Sequence, residues 1–209
     1  MTVATVGGGV PTVQVRGRGG GGPAPTRTVV AYGFWIFLLS DIIMFSGLFA
    51  AYAVLSENTA GGPTGRELFD LHNVFVETAC LLLSSYTCGL GALSAERQHP
   101  ERFYVFAVLT FGLGAAFLFI EISEFAGMVG KGAGPSRSAF LSALFTLVGM
   151  HGAHVTSGLL WLIYMVAQVA AKGLPPHVLR RLLCFSLFWH ALDIIWVGVF
   201  TLVYLIGAR

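Results

Sequence analysis

Eight side chains able to bind protons or metals stand inside or at the edge of long apolar stretches: Asp41, Glu77, Glu121, Glu124, His151, His154, His190 and Asp193. No lysine or arginine shares those stretches; all twelve lie in the polar segments between them or at the chain ends. A carboxylate in hydrocarbon costs roughly 2.5–3.5 kcal/mol even on a lenient insertion scale. A chain that places acids there repeatedly, with no basic partner of its own at that depth, must find partners in another protein, lipid head groups, water or bound protons. The pattern fits a subunit of a larger membrane assembly.

The histidines fall in two groups. His151-Gly152-Ala153-His154 lies in one apolar run; Trp189-His190, followed by Asp193 and Trp196, lies in the next. Each group holds an i, i+3 pair that projects to one side of a helix. Three imidazoles and a carboxylate from two helices have the donor set for zinc, copper or iron, and one histidine from each helix would suit a b-type haem. The simpler reading is a hydrogen-bonded tie between the fourth and fifth apolar segments, made by His151, His154, Trp189, His190 and Asp193. The i, i+4 spacing typical of helical metal pairs is missing, so the tie is the expectation. Other chemistries find no motif: there is no P-loop, no dinucleotide fingerprint and no H-E-x-x-H, and the G-x-S-G of an intramembrane serine protease is absent around Ser157-Gly158.

The acids differ in depth. Asp41 sits mid-run in FWIFLLSDIIMF, too deep and too short to reach the interface. It reads either as a protonated acid bonded to a neighbouring helix or as a carboxylate that handles protons or touches lipid. Glu77 and Glu124 lie about a turn from the ends of their runs, which predicts contact with interfacial water or lipid. Glu121 and Glu124, at i and i+3, share a face and would repel if both were charged, which points to a shared proton or a partner's cation. Cys80, Cys88 and Cys184 form no C-x-x-C and read as small apolar residues. With Ser84 and Ala92, Cys80 and Cys88 make a narrow ridge against which another helix packs closely.

These residues need long apolar elements to hold them. Of 209 residues, 56% are hydrophobic and 11% charged, with mean hydropathy +0.78; soluble domains carry roughly 25% charged residues. Five runs, near Val30–Leu55, Val74–Ala95, Phe103–Phe125, Ala139–Ala171 and Leu183–Ile206, reach the ~20 helical residues that cross a bilayer. The fourth is long enough to tilt or to extend into water. Strand-like alternation is absent, so the expected fold is an all-α integral membrane bundle of five transmembrane helices. Arg16, Arg18, Arg27, Arg97, Arg102, Lys172, Arg180 and Arg181 fall on one side, against Arg66, Lys131, Arg137 and Arg209 on the other. That bias predicts a cytoplasmic N-terminus and a periplasmic C-terminus. Residues 1–28, rich in glycine and proline and without an apolar signal core, read as a flexible tail, and 29–209 as the transmembrane domain.

Taken together, YGFWIFLLSDIIMFSGLFAAYAVL, VETACLLLSSYTCGLGAL, ISEF, LVGMHGAHVTSGLLWL and FSLFWHALDIIWVGVFTLVYLIG resemble subunit III of the haem–copper oxidases over about residues 30–207. H-G-x-H-V-x-x-G in one span with W-H-x-x-D-x-x-W in the next is the specific combination. The five-span length and the wording of the last span are most similar to the bo-type ubiquinol oxidase branch. The resemblance implies a complex that oxidises ubiquinol, reduces oxygen to water and pumps protons, with haems and copper in subunit I. It implies no redox centre here, but an accessory chain in a bacterial inner membrane that packs on subunit I beside subunits II and IV, holds phospholipid, and supports stability and proton uptake. Nucleic acid is not an expected partner. It matches the family's buried first-span acid to Asp41, its S-E motif to Ser123-Glu124, and its histidine and W-H-x-x-D motifs to His151, His154, Trp189, His190 and Asp193. Aspartate at 41 is one methylene shorter than the glutamate common in cytochrome c oxidases. Two other identities remain open at this point: the same subunit of a cytochrome c oxidase, and a haem b anchor using His151 or His154 with His190.

Overall fold

A computed structural model describes residues 25–59, 61 and 71–205. Within them the chain forms five helices, each long and apolar enough to cross a membrane: α1 Thr26–Leu55, α2 Leu71–Glu96, α3 Pro100–Gly130, α4 Ala139–Lys172 and α5 Pro176–Val199. No strand occurs among the described residues. Most of the 1–28 tail lies outside the described residues; its last positions, from Thr26, already belong to α1. The final helix continues as a π-helical segment, Phe200–Leu205, with Val203 and Tyr204 buried.

Local signals set the ends. α3 and α5 open with Pro100 and Pro176 in the first turn, where a missing N–H costs nothing. Ser138 caps α4 by accepting from the Leu141 N–H at 3.2 Å. Gly173, at φ +70°, ends α4 in a backbone region closed to most side chains. The turn between α2 and α3 is so short that the two helices must lie side by side and antiparallel. Contacts between loops respect the alternation of five crossings. Arg27, at the start of α1, pairs with Glu96, at the end of α2, and Gln98 Nε2 donates to the Leu174 carbonyl at 3.2 Å. On the other side the Phe140 N–H donates to the Asn58 carbonyl at 3.3 Å. At ~1.5 Å per residue the 34 residues of α4 run about 51 Å, so α4 extends beyond the ~30 Å hydrocarbon layer as its length predicted.

The helices differ in how much they bury. α1 touches the bundle along one thin seam, Leu38, Phe45 and Tyr52, seven residues apart, while Val29, Tyr32, Ile36 and Ile43 face outward. α5 is the axis, packed against α1, α2 and α4. Two indoles fill its core side. Trp189 fits between glycines of α3 and α4: a Cβ at Gly158 would meet its ring at 2.8 Å and one at Gly114 at 3.1 Å. Trp196 meets Phe117 edge-on, with centroids 4.7 Å apart. The ridge on α2 packs as its small residues suggest, with Ser84 under Trp189, and Cys88 beside Phe103, Phe185 and Ser186.

Adding one methyl at Gly158 should therefore push Trp189 out of its slot. Gly158→Ala is expected to cost about 1–3 kcal/mol and to lower the thermal midpoint of the detergent-solubilised protein. Gly112→Ala, where nothing lies within 4 Å, should leave the midpoint unchanged or raise it.

Candidate functional site

Polar contacts run between α2 and α5 from Thr78, near the start of α2, to Ser85, near its middle. Because the two run antiparallel, hydroxyls along α2 meet rings along α5 in reverse order. Trp196 Nε1 donates to Thr78 Oγ1 at 3.1 Å, and Trp189 Nε1 donates to Ser84 Oγ at 3.1 Å. Each of these hydroxyls in turn donates along its own helix, Thr78 to the Val74 carbonyl at 2.8 Å and Ser84 to the Leu81 carbonyl at 2.7 Å. Indole is a donor only and a hydroxyl is both donor and acceptor, so each pair is fully satisfied.

One residue further along α2, Ser85 Oγ lies 2.6 Å from His190 Nδ1. The other ring nitrogen, Nε2, lies beside the backbone at Gly89. The Ser85–His190–Asp193 group borders an open groove of about 430 Å³ along Leu82, Tyr86 and Leu93.

This corrects the expected tie. The hydrogen bonds of Trp189 and His190 join α5 to α2, not to α4. His154 Nδ1 is spent on its own helix, 2.8 Å from the Met150 carbonyl, with its ring 5.3 Å from Phe45 and 6.4 Å from Phe188. His151 is fully buried and stacks 5.1 Å from Trp196; neither of its nitrogens has a hydrogen-bond partner. Toward α5 the two histidines thus act as aromatic rings. Spacing along one helix showed which residues share a face but not which neighbour that face meets. The partners that sequence reasoning missed, Thr78, Ser84 and Ser85, carry a weak signal: a hydroxyl followed about two turns later by two adjacent ones, beside the small-residue ridge of α2.

The three imidazoles sit in separate surroundings, and among the described residues no group of three or more His, Cys, Asp or Glu is placed to hold a metal ion. Asp41 lies half-buried at the midpoint of α1. Glu77 departs from the interfacial position its run suggested: α2 begins at Leu71, and its inner face turns Glu77 wholly into the bundle, 0% exposed. Glu121 is also buried, while Glu124 is half-buried beside it.

A family model described as cytochrome c oxidase subunit III matches residues 19–208. The chain belongs to that family. It is 52% identical over 177 residues to the cytochrome bo(3) ubiquinol oxidase subunit 3 of Pseudomonas aeruginosa, covering 85% of each chain. It is 48% identical to the protein of the same description from Pseudomonas putida, over 84% of each chain. The quinol oxidase subunit 3 of Bacillus subtilis is 43% identical, over 84% of this chain and 86% of its own. In this member of the subunit III family, the W-H-x-x-D segment supplies the α2–α5 hydrogen bonds, and the H-G-x-H segment supplies rings and the close approach at Gly152.

Ser85→Ala should strand the His190 ring nitrogen, a loss of about 1–3 kcal/mol. Ser85→Thr should restore most of it, and the penalty should shrink in a His190→Ala background. Asp193→Ala is expected to weaken retention of the subunit in its complex more than it lowers intrinsic turnover. Normal retention and thermal stability with turnover abolished would contradict that structural role.

Proposed function

We propose that this chain is the accessory, non-redox subunit of a terminal ubiquinol oxidase, a complex that oxidises ubiquinol, reduces oxygen to water and moves protons across a bacterial inner membrane. Similarity carries this reading: the chain is 52% identical to a ubiquinol oxidase subunit 3, over 85% of both chains. The side-chain chemistry supports it, since the polar groups at mid-membrane are used to join helices. In this reading the haems and copper belong to subunit I, on which the chain packs, with subunits II and IV in the same assembly. The N-terminus is cytoplasmic and the C-terminus periplasmic, as the arginine and lysine bias requires. The exposed apolar faces of α1, α2 and α3 would meet phospholipid or the other subunits. The chain's contribution is then to stability and proton uptake.

The test is to identify the polypeptides that copurify with a tagged chain and to measure the oxygen consumption of that preparation. Copurification with a haem-bearing subunit, and turnover on quinol but not on reduced cytochrome c, is the expected result. Turnover on cytochrome c alone would place the chain in a cytochrome c oxidase instead. A haem absorption band in the isolated chain, lost in His190→Ala, would overturn the non-redox reading.

Asp41 gives a second handle. Asn is a near-isosteric replacement for the lone acid at the midpoint of α1 and keeps hydrogen-bonding capacity. Asp41→Asn should leave assembly intact and turnover close to that of the unmutated complex. Asp41→Lys should block assembly through an unpaired charge at mid-membrane. Loss of assembly in the Asn variant would show that the ionised form is needed, opposite a cation from a partner or lipid. Intact assembly with a specific loss of proton uptake would make Asp41 a direct participant in proton handling.

A further inference from the structure

On the side of the membrane where α2 ends and α3 begins, a three-residue turn puts two arginines at the mouth of an apolar groove. The turn is tied down at every residue. The Arg97 N–H donates to the Leu93 carbonyl at 3.1 Å and the His99 N–H to the Ser94 carbonyl at 3.0 Å. Gln98, at φ +60°, donates from its side chain to the Leu174 carbonyl at 3.2 Å. Arg97 and Arg102 leave this fixed turn as exposed side chains. Neither has an ion-pair partner among the described residues, and the nearby Glu96 is taken by Arg27. Glu101 sets one carboxylate against the two guanidinium groups, with His99 beside them.

Beneath these charges the lining turns apolar. Leu90 and Leu93 of α2 face Val105 and Phe106 of α3 across a groove of about 560 Å³. The same two leucines wall the groove of about 430 Å³ that passes Leu82 and Tyr86 on the α5 side of α2. An apolar track thus follows α2 inward from Arg97. The twelve residues from Arg97 to Ser85 rise about 18 Å, close to one leaflet of a ~30 Å hydrocarbon layer.

We propose that Arg97 and Arg102 hold the head group of an anionic phospholipid whose acyl chains lie in the grooves on either side of Leu90 and Leu93. Guanidinium meets a phosphate through paired N–H donors, and basic side chains at a membrane surface attract acidic lipids. Acyl chains carry no hydrogen-bonding groups, so they fill a groove at this depth without cost. An extended peptide there would strand its backbone N–H and C=O groups. The proposal deepens the reading of these faces as lipid-facing and rests on it. It assigns a place and a head-group charge, and it holds whichever electron donor feeds the complex.

Native mass spectrometry of the intact, delipidated complex, titrated with dioleoyl phosphatidylglycerol, tests it. The Arg97→Gln/Arg102→Gln double variant should lose one bound lipid, with affinity at that site falling at least about tenfold. Arg97→Lys/Arg102→Lys should keep most of the affinity. Val105→Trp, which fills the groove and leaves the charges, should also weaken binding. Dioleoyl phosphatidylcholine should bind there more weakly than phosphatidylglycerol. Unchanged affinity in the glutamine or tryptophan variant overturns the proposal. Equal binding of the two lipids overturns it too, since the face would then be merely apolar. Displacement by millimolar inorganic phosphate would make it an anion site without a tail, and no lipid on the unmutated complex would mean that another subunit covers it. Quinol turnover of the same preparation is measured separately: its absence would overturn the oxidase reading and leave the lipid count standing.

Discussion

Helices in lipid gain little from hiding apolar surface from one another, because the lipid is as apolar as they are. What holds this bundle is therefore close fit and hydrogen bonding, and both converge on the two indoles of α5. Trp189 enters a slot that exists only because Gly114 and Gly158 lack side chains, and its N–H ends on Ser84. Trp196 repeats the arrangement about two turns further on, edge-on to Phe117 and bonded to Thr78. A hydrogen bond of this kind inside a membrane protein contributes on the order of 0.6 kcal/mol. The slot contributes more, since a tryptophan buries ~150–250 Å² of surface. α1 is attached along a heptad-spaced seam, with Phe49 lying against Gly198 of the last helix.

The same economy explains how polar residues are distributed. Every hydroxyl that meets an indole donates to its own helix and accepts from its neighbour, so a mid-membrane polar contact leaves no orphan atom. The Ser85–His190–Asp193 group follows this rule partly, one Asp193 oxygen being without a partner. Two buried acids do not follow it. Glu77 and Glu121 are as buried as the core leucines yet keep unpartnered oxygens.

That distribution bears on what a subunit of this family does. Histidines in a respiratory membrane protein invite a redox reading. Here His190 is bonded across to α2 through Ser85, His154 is bonded to its own helix, and His151 is stacked on Trp196. Side chains used in this way position helices, and they suit an accessory subunit of an oxidase.

The sequence by itself determined the class and the crossings. Uninterrupted apolar length has one stable outcome in hydrocarbon, the helix, so five runs became five helices, and proline, serine and glycine marked several of their ends. Motif spacing also sufficed for the family, and the ridge around Ser84 and Cys88 was legible as packing because small side chains have few other uses in a span. Which helix answers which was not legible. The tie from Trp189 and His190 went to α2 rather than α4, because helix periodicity fixes a face but not its neighbour. Glu77 was placed near water by its distance along the run, whereas the structure turned it inward: depth along a helix is a property of the chain, and orientation around it is set by the other helices. Only the tertiary structure set the Glu121 carboxyl against the α4 backbone at Gly152, since three-dimensional closure, not sequence separation, decides which groups meet.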